Sequence, residues 1–363
     1  MPRRAPALVL TLALVSALAA PALAAGLAQA LPGDQVSFAS NPDVGSIAMP
    51  FTAVSGGPTL LLSDAPEEVP SPGILYQDDV NGPFRLLFDH VDASTAGGDL
   101  VFSVLATNQG ATPTTITLTR VGVAGPSADY LQTGQAAQKA WMGSVQDTVL
   151  TVPPGQTISV LPQLGGMVAA PGQDVTGTID GSTGGDLVVS VVAQSRATPS
   201  LSGLTVLPAP TSSTGFALRG TFPHADITIT AQADGALQRL DMASPTDYLH
   251  GYSAVDGLAP AEDYGNYGVL YNVLVMVMGN PGPLAAIFDP QGGPFAGTAL
   301  VGTGFQPGSL VDLPSGGTFS PSPLSSILMG QFQLQPGAPL LLHVQWMPPS
   351  GSFLPTSLIL SPD

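Results

Sequence analysis

Short hydrophobic runs bounded by glycine and proline recur along most of this chain. The 43 glycines and 37 prolines among 363 residues leave little uninterrupted sequence for long helices. The runs are rich in Val, Ile, Leu, Thr and Phe, and they cover residues 84–91, 99–106, 114–123, 149–152, 157–161, 186–193, 227–231, 269–278 and 340–346. Their length, their β-branched residues and their flanking turn residues predict strands.

The segments between these runs carry the residues that tight turns need. Asn108-Gln109-Gly110, Pro153-Pro154-Gly155 and Gln335-Pro336-Gly337 each supply the free φ of glycine, and two of them add the preset φ of proline. Turns of this kind join antiparallel strands. The chain is therefore predicted to be all-β, with two tandem β-sandwich (Ig-like) domains and one short helix.

The order of the strands in the first half is loosely repeated in the second half, which predicts two domains. We expect an N-terminal extension over residues 25–56, a first sandwich over 57–206 and a second sandwich over 215–363. The boundary falls in residues 207–214, because this run of Pro, Ser and Thr is typical of a linker.

A single segment has the pattern of a helix. Ser127 can cap a helix over residues 128–142, in which Tyr130, Ala137 and Trp141 lie near one face. We expect this helix to close one end of the first domain.

The N-terminus predicts export. Arg3 and Arg4 precede an apolar run over residues 7–20, and residues 21–25 form a small-residue cleavage signature. The run is shorter than the roughly 20 residues that span a bilayer, so residues 1–24 are interpreted as a secretory signal peptide. We expect an extracellular or cell-surface protein with no membrane span after signal cleavage.

Charge and composition narrow the range of partners. The formal net charge is −17, and removal of Arg3 and Arg4 with the signal would make it more negative still, so nucleic acid is excluded as a partner. Only 9% of the residues are charged and the mean hydropathy is +0.33, which indicates a folded chain. The absence of cysteine excludes disulfides and a lipid-modified cysteine.

No catalytic motif is evident. The four histidines are far apart, no serine lies in a Gly-x-Ser-x-Gly motif, and the adjacent carboxylates are more typical of surface charge. The residues concerned are His90, His224, His250, His343, Glu67-Glu68, Asp78-Asp79 and Glu262-Asp263. The chain is therefore expected not to be an enzyme. A secreted hydrolase whose site is assembled from distant Asp, Glu and His residues is the alternative.

One acidic, glycine-rich segment is a weak candidate for calcium binding. Asp180 and Asp186 flank Gly181-Ser182-Thr183-Gly184-Gly185, and we expect a loop whose carboxylates and carbonyls could bind Ca²⁺. The regular spacing of a calcium-binding loop is missing. Calcium is therefore the one cofactor that the sequence leaves open.

Tyrosines cluster near the start of the second predicted domain. Tyr252, Tyr264, Tyr267 and Tyr271, with Tyr248 nearby, are interleaved with Asp, Glu and Asn. Tyrosines beside acids and amides are typical of surfaces that bind sugar rings, which makes these four residues candidate ligand-binding residues. In the alternative interpretation, Tyr267 and Tyr271 are strand residues of the core.

Seven short segments recur in a known group of proteins: residues 58–67, 73–76, 87–91, 125–130, 265–271, 292–297 and 346–352. Through these segments the chain resembles secreted proteins from Gram-positive bacteria that are named after a copper amine oxidase N-terminal-like stalk domain. The resemblance implies secretion and does not imply oxidase activity. In those oxidases an Asn-Tyr-Asp/Glu motif forms the quinone cofactor, whereas here Gly268 follows Asn266-Tyr267, and no His-x-His pair is present.

Together these features favour a secreted, non-enzymatic structural or adhesive protein of the cell envelope or extracellular matrix. Its expected partners are cell-envelope components, polysaccharide or itself. An extracellular carbohydrate-binding module that uses the tyrosine-rich segment is the first alternative, and the hydrolase is the second.

Overall fold

The computed structural model describes residues 27–65, 67–95, 98–197, 201–208, 218–255, 257–306 and 308–362. The predicted signal peptide and most of the predicted linker lie outside the described residues. Strand dominates the described chain, which confirms the all-β prediction.

The strands are β1 (Gln35–Ser37), β2 (Ile47–Ala48), β3 (Phe51–Gly56), β4 (Thr59–Ser63), β5 (Glu68–Val69), β6 (Gly73–Asp92), β7 (Leu100–Thr107), β8 (Thr114–Ser127), β9 (Thr148–Val152), β10 (Thr157–Ser159), β11 (Val168–Ala169), β12 (Asp174–Ser195), β13 (Arg219–Phe222), β14 (Asp226–Ala233), β15 (Gln238–Met242), β16 (His250–Tyr252), β17 (Pro260–Glu262), β18 (Leu270–Val277), β19 (Gly282–Pro290), β20 (Gly297–Thr303), β21 (Ser309–Leu313), β22 (Ser325–Leu334), β23 (Leu340–Trp346) and β24 (Thr356–Pro362). The helices are α1 (Pro42–Gly45) and α2 (Tyr130–Gly143), with 3₁₀ turns at Leu27–Gln29 and Pro162–Gly166.

Two six-stranded sheets enclose the larger core. Their strand orders are β1-β22-β19-β24-β15-β2 and β21-β20-β23-β18-β14-β3. The side chains of β24 alternate between the two faces of its sheet. Leu358 and Leu360 enter this core, and Ile359 packs on the opposite face. Trp346, Phe288 and Phe295 form an aromatic cluster in the centre, with ring centroids 5.0 to 6.5 Å apart.

A twelve-stranded sheet built around the long hairpin of β6 and β12 holds a second core. Strand β4 runs parallel to β6 in the middle of this sheet and is buried on both faces. Leu61 points into the second core, while Leu60 and Leu62 point into the larger one. The uninterrupted leucine run therefore reflects a strand covered on both sides.

The two predicted sandwich domains share parts of these sheets. Strands β1, β2 and β3, from the predicted N-terminal extension, pair with β22, β15 and β14. The twelve-stranded sheet contributes side chains to both cores. The count of two tandem Ig-like sandwiches and their boundaries stay predictions.

Helix α2 lies against the strands of both halves. The predicted cap is wrong by two residues, because Asp129 and not Ser127 accepts the hydrogen bond from the Gln132 backbone N–H, at 3.2 Å. Ala137 and Trp141 are buried as expected, whereas Tyr130 is exposed. Within the described ranges, no helix has the length and apolarity that crossing a membrane requires.

Candidate functional site

A cavity of about 270 Å³ opens where β6 meets two loops of the second half. Strand β4 ends beside Asp89 of β6, since Ser63 pairs with Phe88. The chain then turns through Asp64 and Glu67 before β5. The remaining walls come mainly from the loop that precedes β18 and from the loop between β23 and β24, and Tyr248 joins them from the segment before β16. The lining residues are Asp64, Glu67, Leu87, Asp89, Tyr248, Tyr264, Gly265, Tyr267, Ser350, Gly351, Ser352, Phe353 and Leu354.

Aromatic side chains form one side of the cavity and its rim. Tyr248 and Tyr264 meet edge to face, with ring centroids 5.8 Å apart and planes at 84°. Tyr264 is 40% exposed and Phe353 is 52% exposed. Tyr267 lies deeper, and its hydroxyl donates to the Ser352 carbonyl at 2.6 Å. The rim therefore presents aromatic surface to an incoming ligand.

The loop that carries the tyrosines is held by buried polar side chains. Asp263 accepts a hydrogen bond from the Tyr267 backbone N–H at 3.0 Å. Asn266, with a φ of 53°, accepts from the Leu249 backbone N–H at 2.8 Å and donates to the Tyr271 hydroxyl at 2.6 Å. Asparagine tolerates this left-handed conformation better than most residues. These bonds fix the position of Tyr264 and Tyr267 at the cavity.

The loop between β23 and β24 is also fixed by hydrogen bonds. Ser350 accepts from the Thr176 hydroxyl at 2.9 Å, and the Ser352 hydroxyl donates to the Ala296 carbonyl at 2.9 Å. Gly134 of helix α2 lies so close to Ser350 that a Cβ atom there would be 1.9 Å from the Ser350 carbonyl oxygen. The helix therefore supports this wall of the cavity.

Two carboxyl groups lie together beneath the cavity. Asp89 pairs with Thr176 across β6 and β12, so Asp174, two residues away from Thr176, is on the same face as Asp89. Both side chains are at least nine-tenths buried. Among the described residues, no donor reaches Oδ1 of either group. A hydrogen bond between the two therefore requires that one of them is protonated.

Burial and mutual repulsion hold protons on this acidic cluster. Burial raises the pKa of Asp89 to about 7, and burial together with the Asp89 charge raises the pKa of Asp174 further. Burial, with the charges of its neighbours, raises the pKa of Asp64 well above its usual value, and the pKa values of Glu67 and Asp263 are also raised. Of the described residues that line the cavity, none is a lysine, arginine or histidine.

Replacing Asp174 with asparagine is expected to stabilise the protein at pH 8 by at least about 1 kcal/mol. The folded protein holds protons on Asp89 and Asp174 at pH values where the unfolded chain has released them. Their contribution is therefore largest below the unfolded pKa near 4 and is lost as the pH rises through 7 and beyond. Asparagine removes the proton uptake that folding requires of Asp174 at pH 8 and can still donate to Asp89.

Urea denaturation at pH 5 and pH 8 measures this effect. The wild type is expected to lose stability between the two values, and the Asp174→Asn variant is expected to lose less. Asp147→Asn, which changes an exposed carboxylate outside the cavity, is the control. Equal pH dependence in all three proteins would contradict the shared-proton pair.

The structure separates the four candidate tyrosines. Tyr264 and Tyr267 line the cavity. Tyr252 lies elsewhere, in β16, where its hydroxyl donates to Asp78 at 3.0 Å. Tyr271 is fully buried in the larger core and donates to Asp247 at 2.7 Å. The core interpretation therefore holds for Tyr271, and the four side chains do not form one surface.

The calcium candidates have protein partners. The segment expected to be a loop lies within β12, so that expectation is wrong. Asp180 accepts a 2.7 Å bond from Arg85 Nε, and Asp186 accepts from Asn81 at 2.7 Å. In the part of the chain that the structure describes, no three His, Asp or Glu side chains are placed to hold a metal ion. Calcium binding at Asp180 and Asp186 stays a prediction, and a copper site does not fit these residues.

Comparison with known proteins adds little to this geometry. No protein-family profile and no curated protein matches the chain. Among solved structures, similarity is found to the secreted serine protease VesC from Vibrio cholerae, at 12% identity and a TM-score of 0.18, over 76% of this chain and 50% of that chain. Similarity is also found to dimeric latent PorU from Porphyromonas gingivalis, at 13% identity and a TM-score of 0.15, over 86% of this chain and 20% of that chain. TM-scores this low carry no argument about fold or function.

Proposed function

We propose that this protein is an exported saccharide-binding protein and that its ligand occupies the cavity between β6 and the two loops. The observation that carries the proposal is the combination of exposed aromatic rings with carboxyl groups in one cavity. Sugar rings present C–H faces that pack on aromatic side chains, and their hydroxyls form hydrogen bonds with carboxyl groups. Binding sites generally combine apolar walls with a few placed polar groups in this way.

The charge of the protein narrows the choice of saccharide. With a formal net charge of −17 and three carboxyl side chains in the cavity wall, the protein repels acidic polymers. Neutral or basic polysaccharides of a cell envelope are the partners that fit. Binding such a polymer requires no chemical step.

The Tyr264→Ala variant is expected to bind saccharide about threefold to tenfold more weakly than the wild type. The substitution removes an aromatic wall of the cavity, and aromatic contacts of this size are worth about 0.5–1.5 kcal/mol. A glycan array identifies the ligand, and isothermal titration measures the affinity of both proteins. Tyr252→Ala is the matched control, because Tyr252 has a similar exposure of 36% and lies outside the cavity.

The two tyrosine variants distinguish this cavity from other surfaces. Unchanged binding by Tyr252→Ala together with weaker binding by Tyr264→Ala supports the cavity. Equal loss in both variants, or no glycan bound by the wild type, would overturn the proposal.

A structural or adhesive function is the second candidate, and an edge strand favours it. Strand β3 ends its sheet, and Phe51 and Val54 on this strand are 54% and 68% exposed. An exposed edge strand with apolar side chains can pair with the same strand of a second copy. We expect concentration-dependent dimers in sedimentation velocity experiments, and we expect Val54→Lys to abolish them. A wild type that stays monomeric at high concentration argues against this function.

A further inference from the structure

The acidic side chains that line the cavity, Asp64, Glu67 and Asp89, have no basic counterpart among the described lining residues. The neighbouring carboxyls Asp174 and Asp263 lie behind this wall, where burial raises the pKa of each and holds a proton on Asp174 at neutral pH. The buried Arg85, by contrast, is balanced by two carboxylates, since it lies between Asp180 and Asp226 at 2.7 and 2.9 Å.

Asp89 is the group that points to a ligand. It lines the cavity and is 9% exposed, and no donor among the described residues reaches its Oδ1. A buried carboxyl oxygen without a donor is costly. A proton shared with Asp174 relieves part of this cost in the empty protein. A cationic donor that enters the cavity would relieve more, because it supplies both a hydrogen bond and a compensating charge.

The aromatic walls suit the same kind of group. Tyrosine faces attract cations through the ring quadrupole when the cation lies within about 6 Å of the ring centroid. Tyr248, Tyr264 and Tyr267 line the same cavity as Asp89. A compact ammonium group can therefore meet carboxylate oxygens and aromatic faces at once.

We propose that the saccharide carries a free ammonium group, as a deacetylated amino sugar does, and that this group binds against Asp89 with Asp64 and Glu67 beside it. The identity of the ligand as a saccharide rests on the proposed function. The binding of an ammonium group at Asp89 is argued independently of that function.

Ammonium binding is coupled to proton release. The groups that face Asp89 are Asp174 from β12, Asp64 and Glu67 from the chain between β4 and β5, and Tyr267 from the loop before β18. Asp263 of the same loop faces Asp64 and Tyr267. Burial and repulsion raise the pKa values of these carboxyls, that of Asp89 to about 7, so Asp89 is almost fully protonated at pH 5 and about half ionised at pH 7. The cation binds the ionised form, and its affinity therefore rises as the pH rises towards 7.

Two trisaccharides with the same ring and linkage test the inference. One is the β-1,4-linked trimer of glucosamine, and the other is its fully N-acetylated form, which carries no charge. In isothermal titration at pH 7 we expect the glucosamine trimer to bind at least about tenfold more tightly, the effect expected of one charged hydrogen bond. We expect its affinity to be more than about tenfold lower at pH 5, because Asp89 is then almost fully protonated. The number of protons exchanged on binding is measured from the dependence of the binding enthalpy on the ionisation enthalpy of the buffer.

Asp89→Asn should remove most of this preference, because the amide neither balances the ammonium charge nor requires it. Asp147→Asn is the control at an exposed site. Thermal melting of each variant confirms that it is folded. Retained preference in folded Asp89→Asn would overturn the placement of the ammonium group.

The outcomes separate the two proposals. Tighter binding of the acetylated trimer, or equal binding of both, overturns the ammonium inference and leaves saccharide binding standing. If the glycan array shows no bound glycan and neither trimer binds, while 1,4-diaminobutane binds in an Asp89-dependent manner, the ammonium site stands and the saccharide function falls. If the array shows a bound glycan but none of the three probes binds, only the ammonium inference is overturned. If neither the array nor any of the three probes shows binding, both proposals are overturned.

Discussion

Replacing Arg85 with alanine is expected to lower the free energy of unfolding by about 3–5 kcal/mol, as removal of one partner from a buried ion pair generally does. Arg85 is 2% exposed and forms ion pairs with Asp180 and Asp226. It also donates to the carbonyls of Ala225 and Gly268, at 2.7 and 3.2 Å. One side chain therefore joins β6 to β12, to β14 and to the loop that carries Tyr267. Its removal leaves acceptors and carboxylates in the interior without their cation.

Guanidinium chloride denaturation at pH 7 measures this loss. Arg196→Ala is the matched control, because Arg196 pairs with Asp99 at 3.0 Å on the surface, where its side chain is 64% exposed. Surface pairs of this kind contribute about 0–1 kcal/mol. If Arg85→Ala does not fold, Asp226→Asn breaks one of the two pairs and is expected to give a smaller loss. A change below about 1 kcal/mol in Arg85→Ala would contradict the role of Arg85 at this junction.

Replacing Gly134 with alanine is expected to destabilise the protein by about 2–3 kcal/mol, in the range measured for overpacked sites. The new Cβ would lie 1.9 Å from the Ser350 carbonyl oxygen, so helix α2 or the loop between β23 and β24 must move. The Ser350 atoms nearest to the new Cβ all belong to the backbone, which cannot rotate away as a side chain does. Because Ser350 lines the cavity, we also expect weaker saccharide binding in this variant.

A second glycine of the same helix provides the control. At Gly143 the nearest atom to a new Cβ is Leu310 Cδ1 at 3.8 Å, which is an ordinary contact. Gly143→Ala is therefore expected to be neutral or slightly stabilising, because alanine favours the helix. Thermal melting of both variants, followed by binding titrations, makes the comparison. Similar stability of Gly134→Ala and Gly143→Ala would show that the helix does not support the cavity wall.

The strand content could be predicted from the sequence, but the lengths of the central strands could not. The predicted run at residues 84–91 is only the end of β6, which begins at Gly73. The earlier part contains Gln77, Asp78 and Asp79, whose polarity hides the strand. Pairing with β12 holds this backbone extended despite its local preference. The extended conformation of the first part of β6 therefore depends on neighbouring strands, which the local sequence pattern does not reveal.

Local sequence signals predicted the start of helix α2 to within two residues and most of its buried face. The helix starts at the side chain that accepts from a free backbone N–H of its first turn, and this side chain is Asp129 and not Ser127. Its buried face followed the apolar positions Ala137 and Trp141. Contacts with the second half could not be foreseen, since the glutamines that make them look like solvent-facing residues. Gln135 and Gln138 are in fact buried and donate to the carbonyls of Gly297 and Met347.

The sequence indicated the aromatic side of the candidate site but not its acidic side. The clustering of aromatic residues indicated Tyr264 and Tyr267, which do line the cavity. The acidic side was missed, because Asp64, Asp89 and Asp174 are distant in sequence and meet only through the pairing of β4, β6 and β12. A signal for Asp89 existed in its position within the apolar run at 87–91, where a carboxyl group is expensive to bury.

The most direct test of the central proposal is a crystal structure of the protein grown with the glucosamine trimer at pH 7. The proposal predicts density for a sugar ring in the cavity, against Tyr264, with its amine nitrogen within hydrogen-bond distance of Asp89. An empty cavity in crystals where the trimer binds at another surface, or a ring oriented with its amine away from the carboxyl groups, would contradict it.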